Sequence, residues 1–174
     1  MHINHDFFET INTQEKAYFL GFLLADGCIY EHTNKIAFVL NTKDRIILEK
    51  FKELLGSNHV ITDRLIFDKR KKKYYESTSY QISSAKIKND LKNHGIDFNK
   101  SKYFNFNNII NNQYFSHFLR GLCDGDGTIS KSKFEVSLIS TKEFLNYVSN
   151  FFFNKEKPLF LLKDNVFRMS IQSN

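Results

Sequence analysis

The residues best suited to chemistry are two aspartates that end matching segments of the chain. The first segment reads Phe19-Leu-Gly-Phe-Leu-Leu-Ala-Asp-Gly27, and the second reads Leu119-Arg-Gly-Leu-Cys-Asp-Gly-Asp-Gly127. Asp26 and Asp126 hold the same position in the two segments, each after an apolar run. The pattern predicts two helices that both end at an acid, with the following glycine in the left-handed conformation that closes many helices.

A carboxylate at the C-terminal end of a helix lies in an unfavourable field, because that end carries partial negative charge. Two such carboxylates brought together also repel each other. A bound divalent cation relieves both effects, and Mg²⁺ takes carboxylate and carbonyl oxygens as ligands. The sequence therefore predicts a metal site to which Asp26 and Asp126 both contribute.

Small residues recur four positions apart in each predicted helix. They are Gly21 and Ala25 in the first helix, and Gly121 and Gly125 in the second. Residues with this spacing lie on one face of a helix, and a face without bulk allows two backbones to approach closely. We therefore expect the two helices to pack against each other through these residues.

The two segments closely resemble the motif of the LAGLIDADG homing endonucleases, and the resemblance runs through nearly the whole chain as two copies of the repeat. It implies an α+β fold of two pseudo-symmetric α-β-β-α-β-β-α repeats, packed through the motif helices and carrying saddle-shaped antiparallel sheets. It also implies a monomer that hydrolyses phosphodiesters at a long site in double-stranded DNA.

One position departs from the motif, since Leu24 stands where the second segment keeps an acid, Asp124. On a helix Asp124 and Asp126 point to nearly opposite sides, because successive residues turn by about 100°. We therefore assign the chemistry to Asp126 and a structural role to Asp124.

The resemblance also implies a set of site residues. In the family's pattern two or more Mg²⁺ ions would be shared between the motif aspartates, and the expected metal-binding residues are Asp26, Asp126, Ala25, Gly27 and Gly125. Lys86 matches the lysine that the family places near the scissile phosphates, and a solvated lysine is the alternative. Asn41 matches the polar residue that orients water, with Ser140 as its weaker counterpart. For both, capping of the following helix is the alternative.

Hydrophobic periodicity predicts the elements of each repeat. After a short leader, the first repeat (1–95) has a helix capped by Thr13, strands at 28–30 and 35–40, a helix from Thr42 to Gly56, strands at 60–67 and 74–83, and a helix from Ser84 to Gly95. An Asn-rich linker follows (96–112). The second repeat (113–174) has a helix at 113–126, strands near 128–130 and 134–139, a helix from 141, and strands at 158–162 and 166–171.

The second repeat reaches Asn174 where its last helix should begin. We therefore expect the second sheet to expose apolar surface. We also expect the 174-residue chain to be less stable than a form extended by one helix, and to cut the two DNA strands at unequal rates.

Alternation along the strands predicts one solvated face on each sheet. In the family these faces lie over the DNA major groove, where polar side chains read base edges. The basic loop between two strands of the first repeat would contact phosphates, and plain solvent exposure is the alternative. The predicted DNA-binding residues are Lys69, Arg70, Lys71, Lys72, Lys73, Tyr75, Ser77, Ser79, Gln81, Lys131, Lys133, Glu135 and Ser137.

The composition agrees with a polyanionic partner, since 25 basic residues outnumber 19 acidic ones and give a net charge of +6. Cys28 and Cys123 predict free thiols in small core positions, and the scattered histidines suggest no zinc site. Signal patterns and membrane-length apolar runs are missing from the sequence. We therefore expect a protein that is not secreted and has no membrane partner, located in the cytoplasm or in the compartment that holds its gene.

Two rival functions remain open at this point. The first is an RNA-binding maturase that assists intron splicing, which predicts tight binding to structured RNA without dependence on the paired acids. The second is a DNA-binding regulator that uses the same scaffold without cleavage.

Overall fold

The computed structural model describes residues 2–98, 100, 104, 112–130, 132, 135–163 and 165–172. Its helices are α1 (Gln14–Asp26), α2 (Arg45–Leu54), α3 (Ala85–Asn93), α4 (Asn112–Asp126) and α5 (Lys142–Phe153). Its strands are β1 (Gly27–Ile29), β2 (Lys35–Asn41), β3 (Ile61–Asp68), β4 (Lys73–Ser83), β5 (Thr128–Ser130), β6 (Glu135–Ser140), β7 (Leu159–Lys163) and β8 (Val166–Gln172).

The strands form two antiparallel four-stranded sheets with the same topology. The strand orders are β1-β2-β4-β3 and β5-β6-β8-β7. Each sheet consists of two hairpins, and the helix that joins them packs on the sheet: α2 contacts β2 and β4, and α5 contacts β6 and β8. The predicted α+β fold with a repeated element order is confirmed.

The chain divides into two compact units that do not follow sequence order. The first unit contains Met1–Thr10 and Asp26–Asp90, and the second contains Ile11–Ala25 and Leu91–Asn174. All of α1 except Asp26 therefore belongs to the same unit as α4.

The core of the first unit includes the N-terminal segment, which the sequence suggested was only a leader. Phe7 and Phe8 are buried, and their rings lie 6.0 and 6.2 Å from the ring of Phe51 on α2. The backbone N–H of Asn4 donates to the carbonyl of Leu55 at 2.8 Å. Because aromatic side chains bury large areas, this segment contributes substantially to the stability of the unit.

The core of the second unit is an aromatic cluster between α4 and α5. Phe115 and Phe118 of α4 and Phe144 of α5 are each at most 1% exposed. The ring of Phe104 packs edge-on against Phe144, with 5.2 Å between the ring centroids. This residue lies in the predicted linker, so part of that segment belongs to the core.

Thr13 caps its helix as predicted, and Ser84, where a helix was predicted to begin, also acts as a cap. Each accepts a hydrogen bond from the backbone N–H three residues later, at 3.2 Å. Thr42 does not cap α2, because it lies inside a 3₁₀ turn (Thr42–Asp44) that precedes this helix. The side chain of Asn41 caps the turn instead, by accepting from the backbone N–H of Lys43 at 3.1 Å.

The predicted left-handed conformation of the two motif glycines is also wrong. The described glycines with positive φ are Gly56 and Gly95, which follow α2 and α3 as predicted. Gly27 passes directly from α1 into β1, where it pairs with Phe38. Gly127 is needed for a different reason, since the chain there passes close to the preceding turn of α4. A Cβ at this position would lie 2.4 Å from the carbonyl oxygen of Cys123.

The two sheets differ in how far their apolar rows are covered. In the first sheet Ile29 and Ile36 pair across strands and are 6% and 1% exposed. The corresponding pair in the second sheet, Ile129 and Val136, is 75% and 37% exposed. The second sheet therefore exposes apolar surface, as expected.

This difference predicts unequal costs for the same substitution in the two repeats. Ile29→Ala should lower the free energy of unfolding by about 2–4 kcal/mol, because it removes buried methyl groups and leaves a cavity. Ile129→Ala should change it by about 0.5 kcal/mol or less, as at other surface positions. Chemical denaturation of both variants measures the difference, and equal losses would contradict the assigned burial.

Candidate active site and nucleic-acid interface

Helices α1 and α4 meet at two glycines. A Cβ on Gly21 would lie 1.9 Å from the carbonyl oxygen of Phe118, and a Cβ on Gly121 would lie 1.9 Å from that of Tyr18. Neither position has space for a side chain, so the two backbones are in direct contact. Ala25 and Gly125, the other small residues of the predicted interface, are half-buried.

A polar contact also joins the two helices. The hydroxyl of Tyr18 donates to Oδ2 of Asp124 at 2.9 Å, and the guanidinium of Arg120 lies 5.0 Å from the Tyr18 ring centroid. Burial and this hydrogen bond raise the pKa of Tyr18. Asp124 thus connects α4 to α1, in agreement with the structural role assigned to it.

Asp126 lies at the C-terminal end of α4 and borders a cavity of about 150 Å³. The cavity is lined by Leu24, Lys100, Phe104, Leu122, Asp126, Ile139, Ser140 and Val166. Although Asp126 is an exposed residue, desolvation raises the pKa of its carboxyl group, and the Lys100 ammonium opposes this effect. A nearby cation therefore stabilises the charged form of Asp126.

Lys100 is a site residue that was not predicted from the sequence. Its ammonium donates to the carbonyl oxygen of Ala25 at 2.6 Å and also to that of Leu24. These carbonyls belong to the last turn of α1, where the helix carries partial negative charge and favours a cation. A single lysine in an Asn-rich segment without periodicity gives no motif by which it could be found.

Lys86, the predicted catalytic lysine, lies at the start of α3 among carboxylates. Its ammonium is 3.6 Å from Asp6, 3.3 Å from Glu9 and 3.2 Å from Asp90. Both acids from the N-terminal segment thus pair with this lysine. Lys100, in contrast, lines the same cavity as a motif aspartate.

The two predicted water-orienting residues have different surroundings. Asn41 ends β2 and caps the 3₁₀ turn, which was the alternative role considered for it. Ser140 ends β6 and lines the cavity beside Asp126. It does not cap α5, because Thr141 does so by accepting from the backbone N–H of Phe144. Ser140 therefore has a polar group near the motif acid.

The predicted DNA-binding residues of β4 share one face of the first sheet. Gln81 is exposed, whereas the hydroxyls of Ser77 and Ser79 donate to the backbone carbonyls of Arg64 and Thr62 on β3. The strand register pairs Arg64 with Ser77, so the exposed side chain of Arg64 lies on the same face of the sheet as Ser77 and Gln81. Arg64 was missed because the sequence does not fix the register between strands.

The basic loop is an exposed turn between β3 and β4. Oδ1 of Asp68 accepts hydrogen bonds from the backbone N–H groups of Arg70 and Lys71, at 2.8 and 3.1 Å. The ammonium groups of Lys71 and Lys73 lie 5.6 and 6.0 Å from the ring centroid of Tyr75. The turn thus presents its cations beside one face of the sheet.

In the second sheet Glu135 and Ser137 share a face with Ser170 and Gln172 of β8, as the strand register shows. Lys131 and Lys133, also predicted to bind DNA, lie outside the described residues.

The prediction that both cysteines are core residues is wrong. Cys28 is exposed because strand alternation puts its neighbours Gly27 and Ile29 in the core and its own side chain on the solvated face. Cys123 is half-buried. Burial is the main cause that raises the pKa of its thiol, and the negative charge of the nearby Asp124 raises it further. Both thiols are free, as expected.

The donors around Lys100 are of the kind that a hard cation requires. They are the backbone carbonyl oxygens of Leu24 and Ala25, beside the carboxylate of Asp126. The lysine ammonium is a monovalent cation already bound to two of these oxygens, which shows that this position favours positive charge. The oxygen donors fit Mg²⁺ better than they fit a soft metal.

Within the described residues, His, Cys, Asp and Glu form no group of three or more that could hold a metal ion. None of the helices described here is long and apolar enough to cross a membrane.

Comparison with known proteins supports the resemblance noted above. Residues 13–94 match the family model of the LAGLIDADG-like domain. The homing endonuclease I-WcaI bound to its DNA recognition sequence is similar in structure, with a TM-score of 0.62 and 16% identity over 96% of this chain and 80% of that one. I-SmaMI, bound to an uncleaved DNA target with calcium ions, gives a TM-score of 0.58 and 13% identity over 90% and 79%.

The same fold occurs in the N-terminal LAGLIDADG domain of DUF199/WhiA, with a TM-score of 0.56 and 17% identity over 98% of this chain and 81% of that one. No match was found among curated protein sequences. At these identities the structures establish the fold and leave the activity open. Residues 13–94 are therefore similar to the LAGLIDADG-like domain, and the chain as a whole shares the fold of the LAGLIDADG homing endonucleases.

Proposed function

We propose that this protein is a site-specific endonuclease that hydrolyses phosphodiesters in double-stranded DNA with the help of Mg²⁺. We further propose that it acts as a homing enzyme encoded in an intron or a phage, in the compartment that holds its gene. The observation that carries the proposal is the pair of matching helices, which contact each other through backbone at Gly21 and Gly121 and each end in an aspartate.

In this proposal Asp26 and Asp126 hold two or more Mg²⁺ ions, with the backbone of Ala25, Gly27 and Gly125 supplying further oxygens. Bound Mg²⁺ supplies charge stabilisation for the phosphoryl and leaving oxygens. The carbonyl of Ala25 and the carboxylate of Asp126 provide oxygen donors of the required type, and they surround a cation, Lys100, in this structure.

Other side chains position the substrate and water. The Lys100 ammonium, which lies beside Asp126, is suited to donate to a phosphate oxygen, and Lys86 remains a second candidate for this role. The Ser140 hydroxyl lines the same cavity and is suited to orient a water molecule, as is Asn41 at the end of β2.

The DNA partner is supported by the polar faces of the sheets and by the net charge of +6. Gln81 and Arg64 present a hydrogen-bonding amide and a guanidinium on the first sheet, and such groups read base edges in the major groove. Two sheets with such faces are consistent with a long recognition site contacted by a monomer.

Neutralising the basic loop should weaken DNA binding in a manner that depends on salt. Changing residues 69–73 to glutamine should reduce the slope of log affinity against log salt by about 0.9 for each phosphate that the loop no longer neutralises, with the base preference retained. Fluorescence anisotropy at several salt concentrations measures the slope. Lys50→Gln and Lys142→Gln on helices serve as controls. A loop variant with the wild-type slope would show that the loop does not contact phosphates.

Cleavage is tested by incubating the protein with a duplex that spans the uninterrupted insertion locus of its own gene. We expect a discrete double-strand break in the presence of Mg²⁺ and no break in the presence of EDTA. Intact duplex at all protein concentrations, together with specific binding, would refute the endonuclease and support a second function.

That second function is DNA binding without cleavage, and the structural similarity to the DUF199/WhiA domain favours it. It predicts that bound DNA stays intact with Mg²⁺ and that loss of either motif acid leaves the function unchanged. An RNA-binding maturase would instead bind structured intron RNA more tightly than the DNA locus. Competition between the two nucleic acids distinguishes these outcomes.

A further inference from the structure

Glu135 is an acidic residue on the sheet face that the proposed function assigns to DNA. Its position is unfavourable for general attraction to a polyanion, because a carboxylate repels phosphates. Hydrophobic alternation places Leu138 in the core and Glu135 on the opposite side of β6, so the chain directs this acid toward the solvated face. Its presence there calls for a specific role.

The carboxylate of Glu135 is held by three side chains from two strands. Oε1 accepts from the hydroxyls of Ser137 and Ser170, at 2.9 and 3.1 Å. Oε2 accepts from the amide nitrogen of Gln172 at 3.3 Å. Strand pairing supports this arrangement, since Glu135 lies opposite Gln172 and Ser137 lies opposite Ser170. The side chain is therefore pre-oriented by donors that also stabilise its ionised form.

This carboxylate borders an open depression of about 550 Å³ on the sheet face. Arg168 and Lys157 line the same depression, and their positive charges offset the repulsion between the acid and phosphates. The depression therefore combines a fixed hydrogen-bond acceptor with two cations. This combination suits a base edge flanked by phosphates better than it suits phosphate alone.

An ionised carboxylate accepts hydrogen bonds and cannot donate them. In the major groove the base donors are the amino groups N4 of cytosine and N6 of adenine. Adenine also presents the acceptor N7 beside its amino group, and a carboxylate repels this acceptor. Cytosine has no such acceptor on its own major-groove edge, so a fixed carboxylate discriminates in its favour.

We propose that Glu135 is a specificity-determining residue that selects cytosine at one position of the DNA site, with Ser137, Ser170 and Gln172 as positioning residues. The inference rests on the proposed function, because it requires the second sheet to face the major groove.

Selection of bound duplexes from a randomised DNA library, followed by sequencing, tests the inference with the full chain. Wild-type protein should show one position with a cytosine preference that Glu135→Gln reduces by about fivefold or more. Glutamine both donates and accepts, so the preference at that position should move toward adenine. Glu143→Gln, the same change at an exposed position of α5, should leave every preference unchanged.

Ser170→Ala provides a second test that keeps the carboxylate. It should weaken the cytosine preference at the same position and leave the other positions as in the wild type. Thermal unfolding of each variant identifies loss of fold. Unchanged preferences in Glu135→Gln, or a reduction spread over several positions, would overturn the inference while leaving the endonuclease intact. Failure of the wild-type protein to select any DNA would overturn both.

Discussion

Asp126→Asn should reduce double-strand cleavage by at least about 10²–10³-fold, the range observed when one electrostatic stabiliser is removed from an active site. Asp26→Asn should have the same effect. Each substitution keeps the size of the side chain but removes the negative charge that a divalent cation requires. DNA affinity measured without metal should change little, because the base and phosphate contacts proposed above lie on the sheets.

Asp124→Asn is the matched control, because it makes the same chemical change two residues away on the same helix. Its carboxylate accepts from the Tyr18 hydroxyl, so the variant should lose stability and retain cleavage at temperatures where it is folded. Cleavage rates under single-turnover conditions compare the three variants. Undiminished cutting by Asp26→Asn or Asp126→Asn would show that the substituted aspartate is not needed for cleavage.

Gly121→Ala should destabilise the protein by about 3 kcal/mol or more, at the upper end of the cost of overpacking. The new Cβ would lie 1.9 Å from the carbonyl oxygen of Tyr18, and a backbone atom cannot move aside as a side chain can. Alanine has a higher helix propensity than glycine by about 1 kcal/mol, which reduces the loss without cancelling it. Gly21→Ala should behave in the same way against Phe118.

Ser116→Ala is the control for these variants, since Ser116 is exposed on α4. It gains helix propensity without a clash and should leave the melting temperature close to that of the wild type. A Gly121→Ala protein as stable as the wild type would show that α1 and α4 are farther apart than the structure indicates.

The sequence predicts the elements and the helix pair well because both depend on local patterns. Hydrophobic periodicity identified the helices and strands to within a few residues. Gly21 and Gly121 indicated the faces through which α1 and α4 approach each other most closely. These features follow from residue type and spacing alone. The repeated motif also predicted that one sheet topology would occur twice.

The sequence does not predict features that depend on contacts between distant segments. Phe7 and Phe8 lie before the first helix without periodicity, yet they pack on Phe51. Lys100 reaches the end of α1 from an Asn-rich segment, and Arg64 joins the sheet face through its pairing with Ser77. Each contact depends on tertiary packing or strand register, which short patterns do not specify.

The motif glycines and Cys28 show a different limit. A glycine after an acid at the end of a helix is typical of a left-handed cap, but α1 continues directly into β1, so Gly27 serves strand pairing. The same short strand places Cys28 on the solvated face rather than in the core. In both cases the element that follows decides the conformation.

The central claim is that both motif aspartates hold divalent metal, and titration of Mn²⁺ into the protein tests it most directly. Calorimetry on the complex with its DNA site reports the affinity without requiring cleavage. The account predicts that Asp26→Asn and Asp126→Asn each weaken Mn²⁺ binding by about tenfold or more, whereas Asp124→Asn binds as the wild type does. Wild-type Mn²⁺ affinity in both motif variants would contradict it.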